Sequence, residues 1–241
     1  MIERATFDRM KERWGKYGSW AFWADATDSS VRSNVGDLTV LDPDAYPDLF
    51  GILHDDVVMI GLNISRPFDE ALRNFHDSYT RAKDHKIRFA FKDTSFYGAW
   101  MTDIVKGVPM TDSKSLMRYL RENPAVVHRS VRDFLQELTD LGGPAPTGLA
   151  FGGDATISSG TMFRETYGRL IRLMHYSNYN SQGRLPTSSP RSPRNVGLTY
   201  PPSRWAALWS TALLHERHTS RLRRVPGRRS ASSSRDRRPE L

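Results

Sequence analysis

The chain contains no cysteine, and this absence narrows the chemistry open to it. Disulfide bonds, thiolate nucleophiles and cysteine-ligated metal sites are all excluded. Histidine occurs seven times, but never with the paired spacing that a zinc-binding helix requires. We therefore expect no metal centre.

Long apolar runs are also missing. No segment is long enough to span a bilayer, and residues 1–4 lack the apolar stretch of a signal peptide. We expect a cytoplasmic protein with no membrane partner. The chain likewise has no glycine-rich phosphate loop ending in Lys-Ser or Lys-Thr, and no nucleophile elbow around a serine.

The 241 residues are 38% hydrophobic and 26% charged. This composition suits one globular domain with a sizeable core, or such a domain followed by a tail. The net charge of +8 is unevenly distributed, because residues 183–241 hold 13 of the 35 basic residues and 3 of the 27 acidic ones. Residues 1–182 keep 22 basic and 24 acidic residues, a net of −2. Nucleic-acid binding by this part would depend on local placement of charge.

Residues 183–241 are rich in Arg, Ser and Pro and contain no Lys, Ile, Phe or Met. Such a composition cannot bury enough apolar surface to offset the entropy of ordering, so we expect a disordered basic tail. Two origins fit it. The tail is either a phosphate-binding arm or the translation of a shifted reading frame in a GC-rich gene. The abrupt break at Gly183 favours the frameshift.

Four short apolar runs predict buried strands, at residues 57–62, 98–106, 147–151 and 170–174. Helical spacing of apolar residues recurs between and before them, at residues 2–17, 113–121 and 125–141. Alternating strands and helices predict an α/β fold with a three-layer α/β/α arrangement and a central four-stranded, mostly parallel sheet. We assign it to a single domain, residues 1–182.

Polar side chains stand at the predicted strand ends: Asn63, Asp103, Asp154 and His175. Ligands of open α/β sheets bind beyond the carboxyl ends of the strands, so this convergence favours a functional site. The alternatives are local. Asn63 or Ser65 would merely cap the next helix, and His175 would be a structural histidine.

The order of these strand ends resembles the uracil-DNA glycosylase superfamily over residues 57–180. Gly61-Leu62-Asn63 is similar to the family's first motif, with Ile64 in place of proline. Thr102-Asp103-Ile104-Val105-Lys106 is similar to a family strand whose Asn reads the uracil edge. Phe151-Gly152-Gly153-Asp154-Ala155 resembles a small-residue turn, and His175-Tyr176-Ser177 resembles the family's last motif, with Tyr176 in place of proline.

The resemblance implies an enzyme that flips a damaged or deaminated base out of DNA and hydrolyses its N-glycosidic bond without a cofactor. Asn63 would position the attacking water, and His175 would stabilise the departing base. The remaining roles are base contacts and DNA contacts. Phe75, Phe91, Tyr97 and Asp103 would bind the base, with core packing as the alternative for Phe91, and Ser65, Ser177, Tyr179 and Asn180 would contact DNA.

Asp103 departs from the family pattern. Asn offers a donor and an acceptor that match uracil, whereas an ionised Asp repels the uracil O4 atom. Asp103 would instead suit a base with an exocyclic amine, or it must be protonated. Two other functions stay open: a non-catalytic nucleic-acid-binding relative, and an unrelated α/β hydrolase acting on nucleotides. We expect a monomer whose partner is single-stranded or mismatched DNA.

Overall fold

The computed structural model describes residues 1–27, 30–143, 145–155, 158 and 169–176. The strands are β1 (Gly18–Trp20), β2 (His54–Asn63), β3 (Ala99–Val105), β4 (Thr147–Phe151) and β5 (Leu170–Leu173). The α-helices are α1 (Arg4–Trp14), α2 (Leu49–Ile52), α3 (Asp84–Phe91), α4 (Ser113–Glu122) and α5 (Pro124–Leu141), with a short 3-10 helix at Thr39–Leu41. The predicted tail, residues 183–241, lies outside the described residues.

The strands form one sheet in the order β1-β3-β2-β4-β5. The last four strands run parallel to one another, and β1 pairs antiparallel with β3 at one edge. The predicted α/β class and mostly parallel sheet are thus confirmed, with five strands rather than four. The sequence did not predict β1 because three residues are too few to show a period-two pattern.

Successive residues of each strand point to opposite faces of the sheet, and two apolar clusters form there. Val58 and Ile60 belong to the first cluster, which also takes apolar side chains from α1, α4 and α5. Val57 and Met59 belong to the second, to which α3 contributes Ile87. Helices therefore pack on both faces, and the sequence shows little alternation because both faces are buried.

Helix α5 is the longest helix of the described part, and its sequence accounts for both of its ends. Pro124 stands in the first turn, where its missing N–H costs nothing. Gly142 ends the helix at φ 90°, a left-handed conformation that glycine adopts without strain. The apolar stripe between them, including Val127, Val131 and Phe134, packs into the first cluster. The predicted helix at residues 125–141 is confirmed.

In the part of the chain that the structure describes, no helix combines the length and apolar character needed to cross a membrane.

Candidate functional site

The order of the parallel strands locates the place where a ligand is expected. From β2 the chain moves outward to β3, then returns past β2 to β4. The connections therefore leave β2 and β4 in opposite directions, which opens a crevice beyond their carboxyl ends. Asn63 ends β2 and Gly152 follows β4 directly, so both lie at this carboxyl edge.

Asn63 is held in one orientation by backbone carbonyls. Its Nδ2 atom donates to the carbonyl oxygens of Ile64 at 2.9 Å, Val108 at 2.9 Å and Met110 at 2.8 Å. The amide thereby ties the loop after β3 to the end of β2. Since all three bonds use the nitrogen, the Oδ1 atom keeps its capacity to accept a hydrogen bond.

Asp103 lies one strand away and two residues deeper than Asn63, opposite Gly61 in the parallel register. The two residues are so close that a Cβ atom on Gly61 would stand 2.2 Å from Asp103 Oδ1 and 3.4 Å from Phe75 Cζ. Glycine is therefore required at position 61 for the Asp103 side chain to lie over the neighbouring strand. This contact gives the glycine of the Gly61-Leu62-Asn63 motif a physical reason.

The buried carboxyl group of Asp103 has an amide as its hydrogen-bond partner. Asn74 Nδ2 donates to Asp103 Oδ2 at 2.8 Å and to the Tyr17 carbonyl oxygen at 2.7 Å. Burial raises the pKa of Asp103 to about 7, while the Asn74 bond and the charge of Lys106 lower it and Glu137 raises it. Near neutral pH the group is thus close to its point of half-protonation.

Phe75 follows Asn74 and lies on the same side of β2 as Asp103. Its backbone adopts φ 66°, a left-handed conformation that costs a residue with a Cβ roughly 1–2 kcal/mol. Two hydrogen bonds hold it there: Phe75 N–H donates to Asn74 Oδ1 at 3.1 Å, and Trp23 Nε1 donates to the Phe75 carbonyl at 3.1 Å. Strain of this kind concentrates at binding sites.

A second buried acid lies near Asp103. Asp84, at the start of α3, accepts the backbone N–H of Asp77 at 2.8 Å. Burial, together with the charges of Asp77 and Asp103, raises the pKa of Asp84 to about 7, against the lowering effect of the Asp77 N–H bond and of Arg66. Asp77 differs because Arg66 donates to both of its carboxylate oxygens. Asp84 and Asp103 are thus buried acids with raised pKa values, whereas Asp77 has a guanidinium partner.

His175 and Tyr176 cover the end of β4. The ring atom Cδ2 of His175 lies 3.4 Å from the position that a Cβ on Gly152 would occupy. Tyr176 stacks on His175, with ring centroids 4.7 Å apart, and meets Phe151 edge-on at 5.4 Å. Burial lowers the pKa of His175, so its imidazole is neutral at pH 7. Burial and the charges of Asp84, Asp103 and Asp77 raise the pKa of Tyr176.

The structure brings only some of the predicted site residues together. Asn63, Asp103 and Phe75 gather at the carboxyl edge, with His175 over the end of β4. Exposed Ser65 follows β2 at the same edge. Ser177, Tyr179 and Asn180 lie outside the described residues.

Two of the predicted base contacts, Tyr97 and Phe91, make other contacts in the structure. Tyr97 lies before the start of β3, six residues ahead of Asp103, and the four strand steps from Ala99 to Asp103 alone span about 13 Å. Its hydroxyl donates to the Trp23 carbonyl at 3.0 Å. Phe91 packs edge-on against Phe96 and Phe151, which is the core packing considered as its alternative. Aromatic composition alone did not distinguish these positions from that of Phe75.

Sequence reasoning also missed partners that tertiary structure supplies. Asn74 is 29 residues from Asp103, and Asp84 resembles an ordinary first-turn acid of a helix. Lys106 of the Thr102–Lys106 motif is buried, and its Nζ atom bonds Glu137 of α5. The sequence did contain one signal for the partner of Lys106. A lysine that directly follows a buried strand needs either a buried acidic partner or a side chain that reaches solvent.

Among the described residues, no group of three or more histidine, aspartate or glutamate side chains is arranged to hold a metal ion. Comparisons with protein-family models, with curated proteins and with solved structures found no match.

Proposed function

We propose that this protein is a DNA glycosylase that takes a damaged or deaminated base out of the helix and hydrolyses its N-glycosidic bond. The observation that carries the proposal is the Asn63 amide. Its nitrogen is fixed by three backbone carbonyls, so that its oxygen is held as an acceptor at the carboxyl edge. A water molecule that donates to this oxygen would be oriented for attack on the sugar C1′ atom.

Asp103 would read the base in its protonated form. A carboxyl group that carries a proton offers one donor and one acceptor, the same pair that an Asn amide offers to uracil O4 and N3–H. Its pKa of about 7 leaves a large protonated fraction at neutral pH. In this form Asp103 would match a uracil-type base without a change of substrate.

His175 and Phe75 would complete the site. A neutral imidazole can donate one N–H to the negative charge that develops on the departing base, and the lowered pKa of His175 keeps the ring neutral. Phe75 supplies an aromatic surface next to Asp103 on which a flipped base can stack.

A second candidate function is nucleic-acid binding without catalysis. The burial of the proposed base-binding residues favours it. Asp103 and Phe75 are each only 3% exposed, and the Tyr176 ring packs nearby against Phe151. A base can reach Asp103 only if the side chains that bury it move. Binding without turnover is the outcome expected if they stay in place.

The test is base release from uracil-containing single-stranded and U·G duplex oligonucleotides, with lesion-free oligonucleotides as the blank. We expect release by the wild-type chain, and a loss of at least about tenfold in Asn63→Ala, since one positioned hydrogen bond in a transition state contributes on that scale or above. The matched control is Ser95→Ala, an exposed change at a residue to which no role in the site is assigned.

The pH dependence gives a second readout. The pKa of Asp103 is raised, so the form that reads the base is present below pH 7 and is lost as pH rises through about 7. Release should therefore fall between pH 6 and 8 in the wild type, and less so in Asp103→Asn, whose amide does not titrate.

Binding without release in folded protein would favour the second candidate, and activity on free nucleotides alone would contradict both.

A further inference from the structure

A basic cleft of about 400 Å³ opens beside the carboxyl edge of the sheet. Helix α4 forms one wall, and the residues after β4 form the other. The lining residues are Ser113, Lys114, Met117, Arg118, Arg121 and Asp154. Neither the sequence motifs nor the proposed catalytic residues include any side chain of α4.

The cleft belongs to the same edge as Asn63. The loop whose carbonyls, those of Val108 and Met110, accept from the Asn63 amide leads directly into α4. Asp154, on the opposite wall, comes three residues after the end of β4. The cleft therefore extends the crevice that the strand order opens between β2 and β4.

Three cations stand in a row along α4. Lys114, Arg118 and Arg121 are spaced by four and three residues, which places them on one face of the helix. The first and last cations are seven residues apart, so the row is about 10 Å long at 1.5 Å per residue. The opposite face of the helix is apolar, with Leu116 and Leu120 fully buried, so the helix cannot rotate its cations away from the cleft.

The charge of the cleft is a local feature. Among the described residues that line the cleft, Asp154 is the single acid, so these residues carry three positive charges against one negative charge. Residues 1–182 as a whole carry a net charge of −2. A positive cleft on a slightly negative domain attracts an anion to one place, whereas a uniformly basic surface would not.

We propose that this cleft binds consecutive phosphates of the nucleic-acid strand whose base enters the carboxyl-edge site. A row of about 10 Å is long enough to meet two successive phosphates of one strand. Arg118 and Arg121 offer planar guanidinium groups that bind phosphate oxygens in pairs. The statement that a base of this strand enters the carboxyl-edge site rests on the proposed function. The statement that the cleft binds phosphates rests on the cleft alone.

The experiment measures binding of the full-length chain to a fluorescein-labelled single-stranded oligonucleotide without damaged bases, by anisotropy over a range of salt concentrations. The cleft variant is Lys114→Gln/Arg118→Gln. The control is Lys11→Gln/Lys16→Gln, which removes the same charge from exposed positions outside the cleft. The 13 arginines of residues 183–241 are present in both variants, so their contribution cancels.

Each phosphate contact on a single strand contributes about 0.7 to the slope of log K against log salt concentration. Loss of two contacts should lower the slope by about 1.4 in the cleft variant and leave it unchanged in the control. Equal changes in both variants would overturn the proposal, because they would show a general effect of charge.

A nucleoside triphosphate presents the same phosphate chemistry, so a third arm measures its binding by calorimetry. Triphosphate binding that is lost in the cleft variant, together with an unchanged slope for the oligonucleotide, would also overturn the proposal. Because the oligonucleotide carries no damaged base, failure of base release leaves this result standing. Base release with an unchanged slope would contradict the phosphate cleft alone.

Discussion

Two buried carboxyl groups lie against β3 on opposite faces of the sheet, and their surroundings differ. Glu137, from α5, accepts from Trp100 Nε1 at 2.9 Å and forms an ion pair with Lys106. Asp103, on β3 itself, accepts from the neutral amide of Asn74. A buried carboxylate that is paired with a cation has a structural role. A buried carboxyl group without an adjacent cation lowers the stability of the folded state, and other interactions compensate for it.

The ion pair also supports the site across the strand. Lys106 Nζ donates to Thr102 Oγ1 at 2.6 Å and to the Asp103 carbonyl oxygen at 2.7 Å, besides its bond to Glu137. It therefore fixes the backbone from which the Asp103 side chain projects to the other face. On the face of the sheet that α5 covers, the buried charges of Lys106 and Glu137 are paired. On the opposite face, the titratable acid Asp103 lies beside Phe75.

The largest expected effect comes from breaking the ion pair. Lys106→Met leaves the Glu137 carboxylate buried without its cation, which should lower the free energy of unfolding by about 3–5 kcal/mol. Urea denaturation measures it, with exposed Lys16→Met as the control. The double variant Lys106→Met/Glu137→Leu should recover most of the loss. A double variant as unstable as the sum of the two single ones would contradict this account of the pair.

The next effect is a pH dependence caused by Asp103. Its pKa rises to about 7 on folding from an ordinary value of 3.8, so the folded state binds the proton more tightly and loses stability as pH rises from 4 to 7. A shift of about three pKa units corresponds to at most about 4 kcal/mol. The free energy of unfolding of Asp103→Asn should therefore rise relative to that of the wild type as the pH rises, which urea denaturation at pH 5 and 8 measures.

The control for this prediction is Asp69→Asn, which changes an exposed acid and should follow the wild type at both pH values. A stability difference between Asp103→Asn and the wild type that is the same at pH 5 and 8 would show that Asp103 does not titrate in this range.

The smallest of these effects is steric. Gly61→Ala would place a Cβ atom 2.2 Å from Asp103 Oδ1, and displacement of the neighbouring side chain should cost about 1–3 kcal/mol. Asp103→Ala removes the colliding oxygen, so the added cost of Gly61→Ala should be much smaller in that background. Thermal unfolding of the four proteins forms a double-mutant cycle. Additive effects would mean that the two residues are not in contact.

Local patterns allowed much of the fold to be predicted. The stripe of α5 and the apolar runs of β2, β3, β4 and β5 depend on nearest neighbours and on the period of each element, and they were found. The Lys106–Glu137 pair and the Asp103–Asn74 bond join residues 31 and 29 positions apart. No local pattern encodes such pairings, because they arise only when the sheet and its covering layers assemble.

The candidate site was predictable to the extent that parallel strands share an edge. That rule identified Asn63, and Asp103 within two residues of the edge. The rule gives no position for aromatic residues in the loops between strands. Phe75 was therefore predicted together with Tyr97, although Tyr97 precedes β3 and lies at the opposite edge of the sheet. The α4 cations were not predicted because a row of exposed basic residues on a helix is ordinary until a facing wall makes it a cleft.

The most direct test of the contrast between the two faces is the titration of Asp103 by carboxyl-carbon NMR on protein with ¹³C-labelled aspartate. Comparison with Asp103→Asn assigns the resonance. We expect its midpoint near pH 7, well above that of an exposed aspartate. A midpoint near pH 4 would contradict the account, because it would show that this carboxyl group is ionised at neutral pH and cannot offer a base the donor that an amide provides.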